Sequence, residues 1–305
     1  MPDQKPEVTI IILNYNGGED VLACLESVMQ IVHPRCEVFV VDNGSTDGSP
    51  DRIADRFPWV KIITTGSNLG FPAGNNIGIK QSSGEWILLL NDDVVVDREI
   101  LKDLIAAAEA DPQVGIAGPA ILYYKEPEKL WSAGGRINLC GFTEHIDKGM
   151  GLEACRSPHY VDYITGCAML IKRAVLAKIG LLDEDYFLYF EDADYCARAR
   201  RAGFKCLYVP SPTVWHKADA EWITGPMQAY YYMRNGFIFA RKNLKGLRRF
   251  LFITGQFILF PYYFLKLAGR NRKALRHLAR GFRDGLCYQI DKKETGENVA
   301  VQRAD

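Results

Sequence analysis

The 305 residues predict an α/β fold with a mostly parallel sheet and flanking helices, followed by a basic, amphipathic helical C-terminal region. Three observations carry this expectation. Short β-branched runs alternate with amphipathic stretches, the pattern of parallel strands joined by crossover helices. Each of the first strand-like runs is closed by polar residues, mostly Asn, Asp and Gly. The charge is also divided: 37 Lys and Arg balance 37 Asp and Glu overall, yet residues 1–220 hold 21 basic against 31 acidic and residues 221–305 hold 16 against 6.

Val8-Thr-Ile-Ile-Ile-Leu13 reads as a buried strand ending in Asn14-Tyr15-Asn16-Gly17-Gly18. Val21, Leu22, Leu25, Val28 and Met29 share one helical face behind Glu19 and Asp20, acids that suit a helix N-terminus. A second strand, Glu37–Val41, runs into Asp42-Asn43-Gly44-Ser45-Thr46-Asp47-Gly48. A helix at Pro50–Phe57, a strand at Val60–Thr64, a short helix near Ala73–Gln81 and a strand at Trp86–Leu90 continue the alternation. After Asn91-Asp92-Asp93 an amphipathic helix passes through Ile100, Leu101, Leu104 and Ile105. Residues 113–170 read as a loop-rich stretch with short strand-like pieces that covers a site. Helices follow at Arg173–Ile179 and Glu191–Ala202, the second ended by Gly203.

Beyond Tyr230 the character changes. Phe250–Leu265 carries no charge between Arg248-Arg249 and Lys266, and no acid occurs between Glu221 and Asp284. A spanning helix needs about 20 apolar residues. This shorter run, containing Gly255, Gln256 and Pro261, reads as a helix on the membrane surface or packed on the domain.

Composition sets further bounds. At 48% hydrophobic and 24% charged residues the chain can build a core. Zero net charge argues against a nucleic-acid partner, whereas the basic C-terminal region suits an anionic membrane surface. Eight cysteines without a C-x-x-C pair signal neither a zinc framework nor a redox motif, and read as reduced thiols. Met1–Glu7 is polar and unlike a secretory signal, so a cytoplasmic location is expected, peripheral at the inner face of the cell membrane.

Ligands of a doubly wound sheet bind outside the carboxyl ends of its strands. The polar clusters stand at those ends: Asn14 to Asn16, Asp42 to Ser45, Asn68-Leu69-Gly70 with Gly74-Asn75-Asn76, and Asn91 to Asp93. None is the G-x-G-x-x-G turn of a dinucleotide site or the G-x-x-x-x-G-K-[ST] loop of a P-loop ATPase. Asp92 and Asp93 at the rim of a hydrophobic strand repel each other in a partly dry site and need a cation. Mg²⁺ or Mn²⁺, shared with the oxygens of a diphosphate, fits that need.

These motifs resemble glycosyltransferase family 2, the inverting class with the Rossmann-like GT-A fold, and its rhamnosyltransferase-like branch. The resemblance rests on Ile12-Leu-Asn-Tyr-Asn16, Val40-Val-Asp-Asn-Gly-Ser-Thr-Asp47, Asn68-Leu-Gly-Phe-Pro-Ala-Gly-Asn-Asn76, Leu89-Leu-Asn-Asp-Asp-Val94 and Phe187-Leu-Tyr-Phe-Glu-Asp-Ala-Asp-Tyr195, and covers about residues 8 to 240. It implies a catalytic domain over 1–235, with a nucleotide-sugar half at 8–110 and an acceptor half at 111–235, and a separate region at 236–305. Asp192 takes the position of the catalytic base. Asp42 reads the nucleobase, Asn14, Tyr15 and Asn16 line the nucleotide pocket, and Asn68, Gly70 and Asn75 sit by the ribose and sugar. Asp93, last in the element that replaces D-x-D, is the metal ligand. Asn91 stands where a first carboxylate is usual, which leaves Asp92 for sugar or ribose hydroxyls. His216 falls where a histidine meets metal or diphosphate. Arg234 suits either a phosphate contact or a structural ion pair. Trp131, Gly134, Gly135, Tyr163, Gly166 and Glu191 border the acceptor side.

The implied activity moves a sugar from a nucleoside diphosphate sugar to a glycan or polyprenol-linked acceptor, with dTDP-rhamnose the first donor and UDP- or GDP-sugars open. A sugar-phosphate nucleotidyltransferase is disfavoured because the loop 14–20 holds no Lys or Arg for a triphosphate. A non-catalytic sugar-nucleotide or glycan-binding scaffold is disfavoured by the joint presence of Asp42, Asp93, Asp192 and His216.

Overall fold

The computed structural model describes residues 7–33, 35–217, 225–268 and 271–289. The reading of Met1–Glu7 as unlike a secretory signal falls largely on residues 1–6, outside the described residues. The chain forms two compact units, Met1–Asn138 with Phe142–Ala220, and Leu139–Gly141 with Glu221–Asp305. The division at 220/221 is also where the sign of the net charge changes.

The first unit opens with the alternation read from the sequence: β1 (Val8–Asn14), α1 (Gly18–Met29), β2 (Cys36–Asp42), α2 (Ser49–Arg56), β3 (Lys61–Thr64), α3 (Phe71–Gln81) and β4 (Trp86–Asn91). β3, β2, β1 and β4 pair in that order, all parallel. Ile10, Ile11 and Ile12 are fully buried because helices cover both faces of the sheet, each side chain worth about 1.5–3 kcal/mol. Val21, Leu22, Cys24, Leu25 and Val28 form the buried face of α1.

The stretch expected to be loop-rich contains more sheet than its sequence suggests. β5 (Val94–Val96) and α4 (Ile100–Glu109) lead into β6 (Val114–Tyr123), ten residues buried throughout. Gly115, Gly118 and Pro119 hide β6 from a pattern search, since a strand buried on both faces has no alternation. β7 (Leu130–Ser132), the hairpin of β8 (Gly135–Ile137) and β9 (Thr143–His145), and β10 (His159–Val161) are short. β11 (Ala168–Lys172) runs antiparallel to both β4 and β6. It is followed by α5 (Arg173–Ile179), α6 (Glu191–Arg201) and β12 (Lys205–His216), the last parallel to β6. The main sheet runs β10-β12-β6-β11-β4-β1-β2-β3.

β12 has the more consequential irregularity. Pro210 and Pro212 cannot donate to a ladder, and the register against β6 shifts between Val209 and Thr213. The strand then re-pairs with both β6 and β5, setting His216 opposite Tyr123 and Val94. That register delivers His216 to the residue before Val94, which is Asp93.

The second unit holds α7 (Pro226–Asn243), α8 (Gly246–Ala268) and α9 (Arg272–Cys287). Ala229, Met233, Phe237, Leu267, Ala274 and Leu278 form its core. Cys24, Cys36, Cys155, Cys167, Cys196, Cys206 and Cys287 carry free thiols.

Candidate active site

The floor is the carboxyl end of the parallel strands. Register places Asn14 beside Asp42, and Leu13 beside Asn91. The buried Asn14 amide reaches three acceptors, Asp42 Oδ1 at 3.1 Å, Ser45 Oγ at 3.0 Å and Ser49 Oγ at 3.0 Å. Its Oδ1 accepts from the Gly17 N–H at 3.2 Å. Asn16 adopts φ 56°, which Asn tolerates better than most residues. Its N–H donates to Ser45 Oγ at 2.9 Å and its Oδ1 accepts from the Thr46 N–H at 2.8 Å, so the two loops are laced together. Tyr15 stands exposed on the rim.

Asn43, which the sequence reading left without a role, joins this floor to the next loop. Its Nδ2 lies 3.2 Å from both Asn68 Oδ1 and Gly70 O, and its Oδ1 accepts from the Leu69 N–H at 3.0 Å. Gly70 has φ +85°, and a Cβ there would stand 2.5 Å from Phe187 O and 2.6 Å from its ring. Contact with Phe187 therefore requires glycine at this position. Asn75 is buried on α3, where its Nδ2 donates to Phe71 O at 2.9 Å and its Oδ1 has no hydrogen-bond partner.

Asp92 and Asp93 follow β4 and differ in environment. Asp92 accepts from the Tyr15 N–H at 3.2 Å, and burial, aided by the Asp93 charge, raises its pKa to about 7. Asp93 Oδ1 lies 3.2 Å from His216 Nε2. Burial opposes the Asp93 carboxylate, but the imidazole outweighs it and holds the pKa below the ordinary value. Burial likewise opposes the imidazolium of His216, and the Cys167 sulfur and Asp93 carboxylate outweigh it, raising the pKa to about 10. Among the described residues no three His, Cys, Asp or Glu side chains gather into a protein-only metal cage.

An aromatic wall extends from His216. Its ring meets Trp131 edge-on at 4.7 Å, and Trp131 lies 4.5 Å from the ring of His145. His145 Nδ1 is 2.9 Å from Ser132 Oγ, and burial with the nearby Lys148 and His216 charges pushes its pKa down to about 3. Tyr163 is buried behind this wall under Gly135, whose absent Cβ would meet the tyrosine ring at 2.1 Å.

The second carboxylate centre opens α6. Phe187, Tyr189 and Phe190 adopt φ 60°, 69° and 72°, and non-glycine left-handed backbone of this kind costs about 1–3 kcal/mol per residue. Asp192 comes two residues after this strained run, behind Glu191. Its Oδ2 accepts from the Gly166 N–H at 3.1 Å and its Oδ1 from the Ala193 N–H at 2.7 Å. Burial raises the Asp192 pKa, and those N–H groups offset part of the rise. Glu191 is more deeply buried, its Oε2 has no hydrogen-bond partner, and burial with the Asp192 charge raises its pKa strongly. Asp194 has a different role: it is 1% exposed and pairs with Arg198 Nε at 2.8 Å while accepting from Tyr186 Oη at 3.2 Å.

Two adjacent residues connect the centres. The Gly166 N–H holds Asp192, and Cys167 O accepts from the Asn91 N–H at 3.1 Å. The Cys167 thiol is buried and lies next to His216, and burial raises its pKa. No spacing or periodicity marks Cys167, so sequence reasoning passed over it. Arg234 lies in the second unit on α7, with Nη1 donating to Asn235 Oδ1 at 2.9 Å and its guanidinium over Tyr288.

A model of the family described as "Glycosyltransferase like family 2" matches residues 6–225. The chain belongs to that family. It is 30% identical over 232 residues to N-acetylglucosaminyl-diphospho-decaprenol L-rhamnosyltransferase of Mycobacterium tuberculosis, covering 68% of this chain and 75% of that protein. It is 24% identical over 245 residues to dTDP-rhamnosyl transferase RfbF of Shigella flexneri, covering 76% and 79%. Among solved structures, the mannosyltransferase PcManGT from Pyrobaculum calidifontis in complex with GDP-Man and Mn²⁺ superposes with a TM-score of 0.55 at 19% identity, covering 95% of this chain and 78% of that one. The fold of this glycosyltransferase is accordingly the GT-A type. The family match ends before α7, so it spans the acidic unit that holds both carboxylate centres.

Proposed function

We propose that this glycosyltransferase is metal-dependent and inverting, and that it moves rhamnose from dTDP-rhamnose to a glycan or polyprenol-linked acceptor at the cytoplasmic face of the cell membrane. One observation carries the mechanism. Gly166 and Cys167, neighbours in sequence, tie Asp192 to the end of β4, where Asp93 pairs with His216. A proton acceptor and an anion-handling centre are thereby held in one framework.

Asp93 and His216 fit a divalent ion of the Mg²⁺ or Mn²⁺ kind. Such ions are held by one or two protein groups together with substrate phosphates, so a three-residue cage is not required. Asp93 offers its carboxylate and His216, whose Nε2 lies 3.2 Å from Asp93 Oδ1, offers an imidazole once its proton leaves. The bound ion would supply charge stabilisation to the departing diphosphate. Asp42 and the Asn14–Asn16 loop receive the nucleoside, and Asp92, half shielded beside Asp93, faces the ribose or sugar hydroxyls.

Asp192 accepts the proton of the acceptor hydroxyl as its oxygen attacks the anomeric carbon opposite the departing diphosphate. A single displacement inverts the configuration, using the base step familiar from inverting glycosidases. Burial raises the Asp192 pKa and so makes it a stronger base than an exposed aspartate. The donor choice rests on the named substrates of two relatives, and the polyprenol-linked acceptor on one of them.

Thermal stabilisation by a panel of nucleotide sugars, each with and without Mn²⁺, tests the donor. Saturation with the true donor at 100 times its Kd raises stability by about 2.7 kcal/mol. Stabilisation by dTDP-rhamnose with Mn²⁺ supports the reading. Stabilisation by a UDP- or GDP-sugar alone replaces the donor.

A further inference from the structure

The surface of the second unit carries two helical faces that sugar transfer does not use. α8 has 23 residues, about 35 Å at the helical rise. One side is buried through Phe252, Gln256 and Leu267, with Ile253, Phe260 and Tyr263 packed against the core of the unit. At 100° per residue, the opposite side carries Leu247, Phe250, Leu251, Ile258, Tyr262 and Leu265. All six are exposed, Leu247 at 70% and Ile258 and Leu265 at 75%. Thr254 lies in the same stripe, and its hydroxyl donates to Phe250 O at 2.9 Å, so its polar group is already satisfied.

No charged residue interrupts this stripe, and the exposed charged residues beside it, Lys245, Arg248 and Lys266, are all cations. α9 turns Ala274, Leu278, Gly281 and Gly285 inward and leaves Arg272, Lys273 and Arg276 exposed, with Arg280 and Arg283 paired to Asp284. Between Glu221 and Asp284 the chain has no acid at all.

We infer that the second unit docks on an anionic phospholipid bilayer, with α8 lying in the plane of the interface and its outer stripe inserted among the headgroups and upper acyl chains. The stripe matches an interfacial helix, apolar on one side and engaged by protein on the other. Passage across the bilayer does not fit, because the inner side of α8, including Gln256, is already committed to the core of its unit. A second copy of the chain is a poor occupant, since it would bring one all-cationic rim against another. Anionic headgroups complement that rim, at about 1 kcal/mol per basic residue near the surface. The inference stands on the second unit alone and does not depend on the donor, metal or base assigned above.

The test uses the full chain in cosedimentation with phosphatidylcholine vesicles, with and without 30 mol% phosphatidylglycerol, at 0.1 M salt. Binding to the anionic vesicles at least tenfold tighter than to the neutral ones is expected, with release by alkaline carbonate as for a protein that does not span. The triple variant Phe250→Asp, Ile258→Asp, Leu265→Asp, checked by circular dichroism for an unchanged fold, should bind at least tenfold more weakly. Equal binding to both vesicle types, resistance to carbonate, or undiminished binding by the correctly folded triple variant overturns the proposal. So does a concentration-dependent dimer that the triple variant abolishes.

Discussion

The Gly166 backbone N–H donates to Asp192 Oδ2 at 3.1 Å, while the neighbouring Cys167 carbonyl accepts from Asn91 N–H at 3.1 Å. This two-residue bridge ties the carboxylate of α6 to the end of β4, which Asp92 and Asp93 follow. It also separates three acids that the sequence presents as equivalents, since Glu191, Asp192 and Asp194 differ sharply in partners.

Asp194 is a structural residue. Asp194→Ala removes the carboxylate that pairs with the Arg198 guanidinium and accepts from the Tyr186 hydroxyl. Breaking one side of such a buried pair costs about 3–5 kcal/mol. Chemical denaturation should show the loss as a lower midpoint with an unchanged slope.

Asn14→Ala removes one amide that serves Asp42, Ser45, Ser49 and Gly17 at once. Leaving buried polar groups unsatisfied costs about 1–3 kcal/mol each, so a total loss of about 2–4 kcal/mol is expected. Nucleotide affinity should fall with it in isothermal titration, because the loops at 14–18 and 42–48 lose their common anchor.

Gly70→Ala tests whether that residue serves packing. Left-handed φ and contacts with both the carbonyl and ring of Phe187 predict destabilisation of about 2 kcal/mol or more. Trimming the ring with Phe187→Ala should not restore stability in the double variant, since the carbonyl contact persists. Thermal melts of the two single variants and the double variant decide it.

The raised pKa values of Glu191 and Asp192 set the pH dependence. Both groups bind protons more tightly folded than unfolded, so the folded state is favoured at low pH and loses stability as pH rises from the unfolded carboxylate range through the raised values. Asp192→Asn removes one of the two, and its Tm should exceed that of the wild type near pH 7, with the gap closing toward pH 4. The transfer rate of the wild type should rise over the same interval, as the base loses its proton. A gap that is constant with pH would contradict the assignment.

Asp93→Ala deprives His216 of its carboxylate partner. If the pair handles metal and diphosphate, nucleotide affinity in the presence of Mn²⁺ should fall roughly tenfold or more, about 1.4 kcal/mol, and the difference between titrations with and without Mn²⁺ should vanish.

Local pattern made the first half of the fold readable. β1 to β4 are buried runs closed by turn formers, and their polar ends lie at the carboxyl edge where ligands bind. β6 and β12 were not readable, because Pro119, Pro210 and Pro212 look like breakers and only the pairing with distant strands overrides them. The same limit applies to the site. Asp42, Asp93 and Asp192 stood out through motifs, but Asn43, Cys167 and His145 act through contacts 22 or more residues away or through stacking across a hairpin. Gly135 and Tyr163, read as neighbours of an acceptor, also pack on each other, the tyrosine ring filling the place of a Gly135 side chain.

The central claim is that Asp192 is the proton acceptor of sugar transfer, and Asp192→Asn measures it most directly. The variant should bind the donor nucleotide with unchanged affinity in isothermal titration, while its rate of transfer falls by about 10²–10⁴. Turnover within a few-fold of the wild type, with the fold and donor affinity intact, would contradict the account.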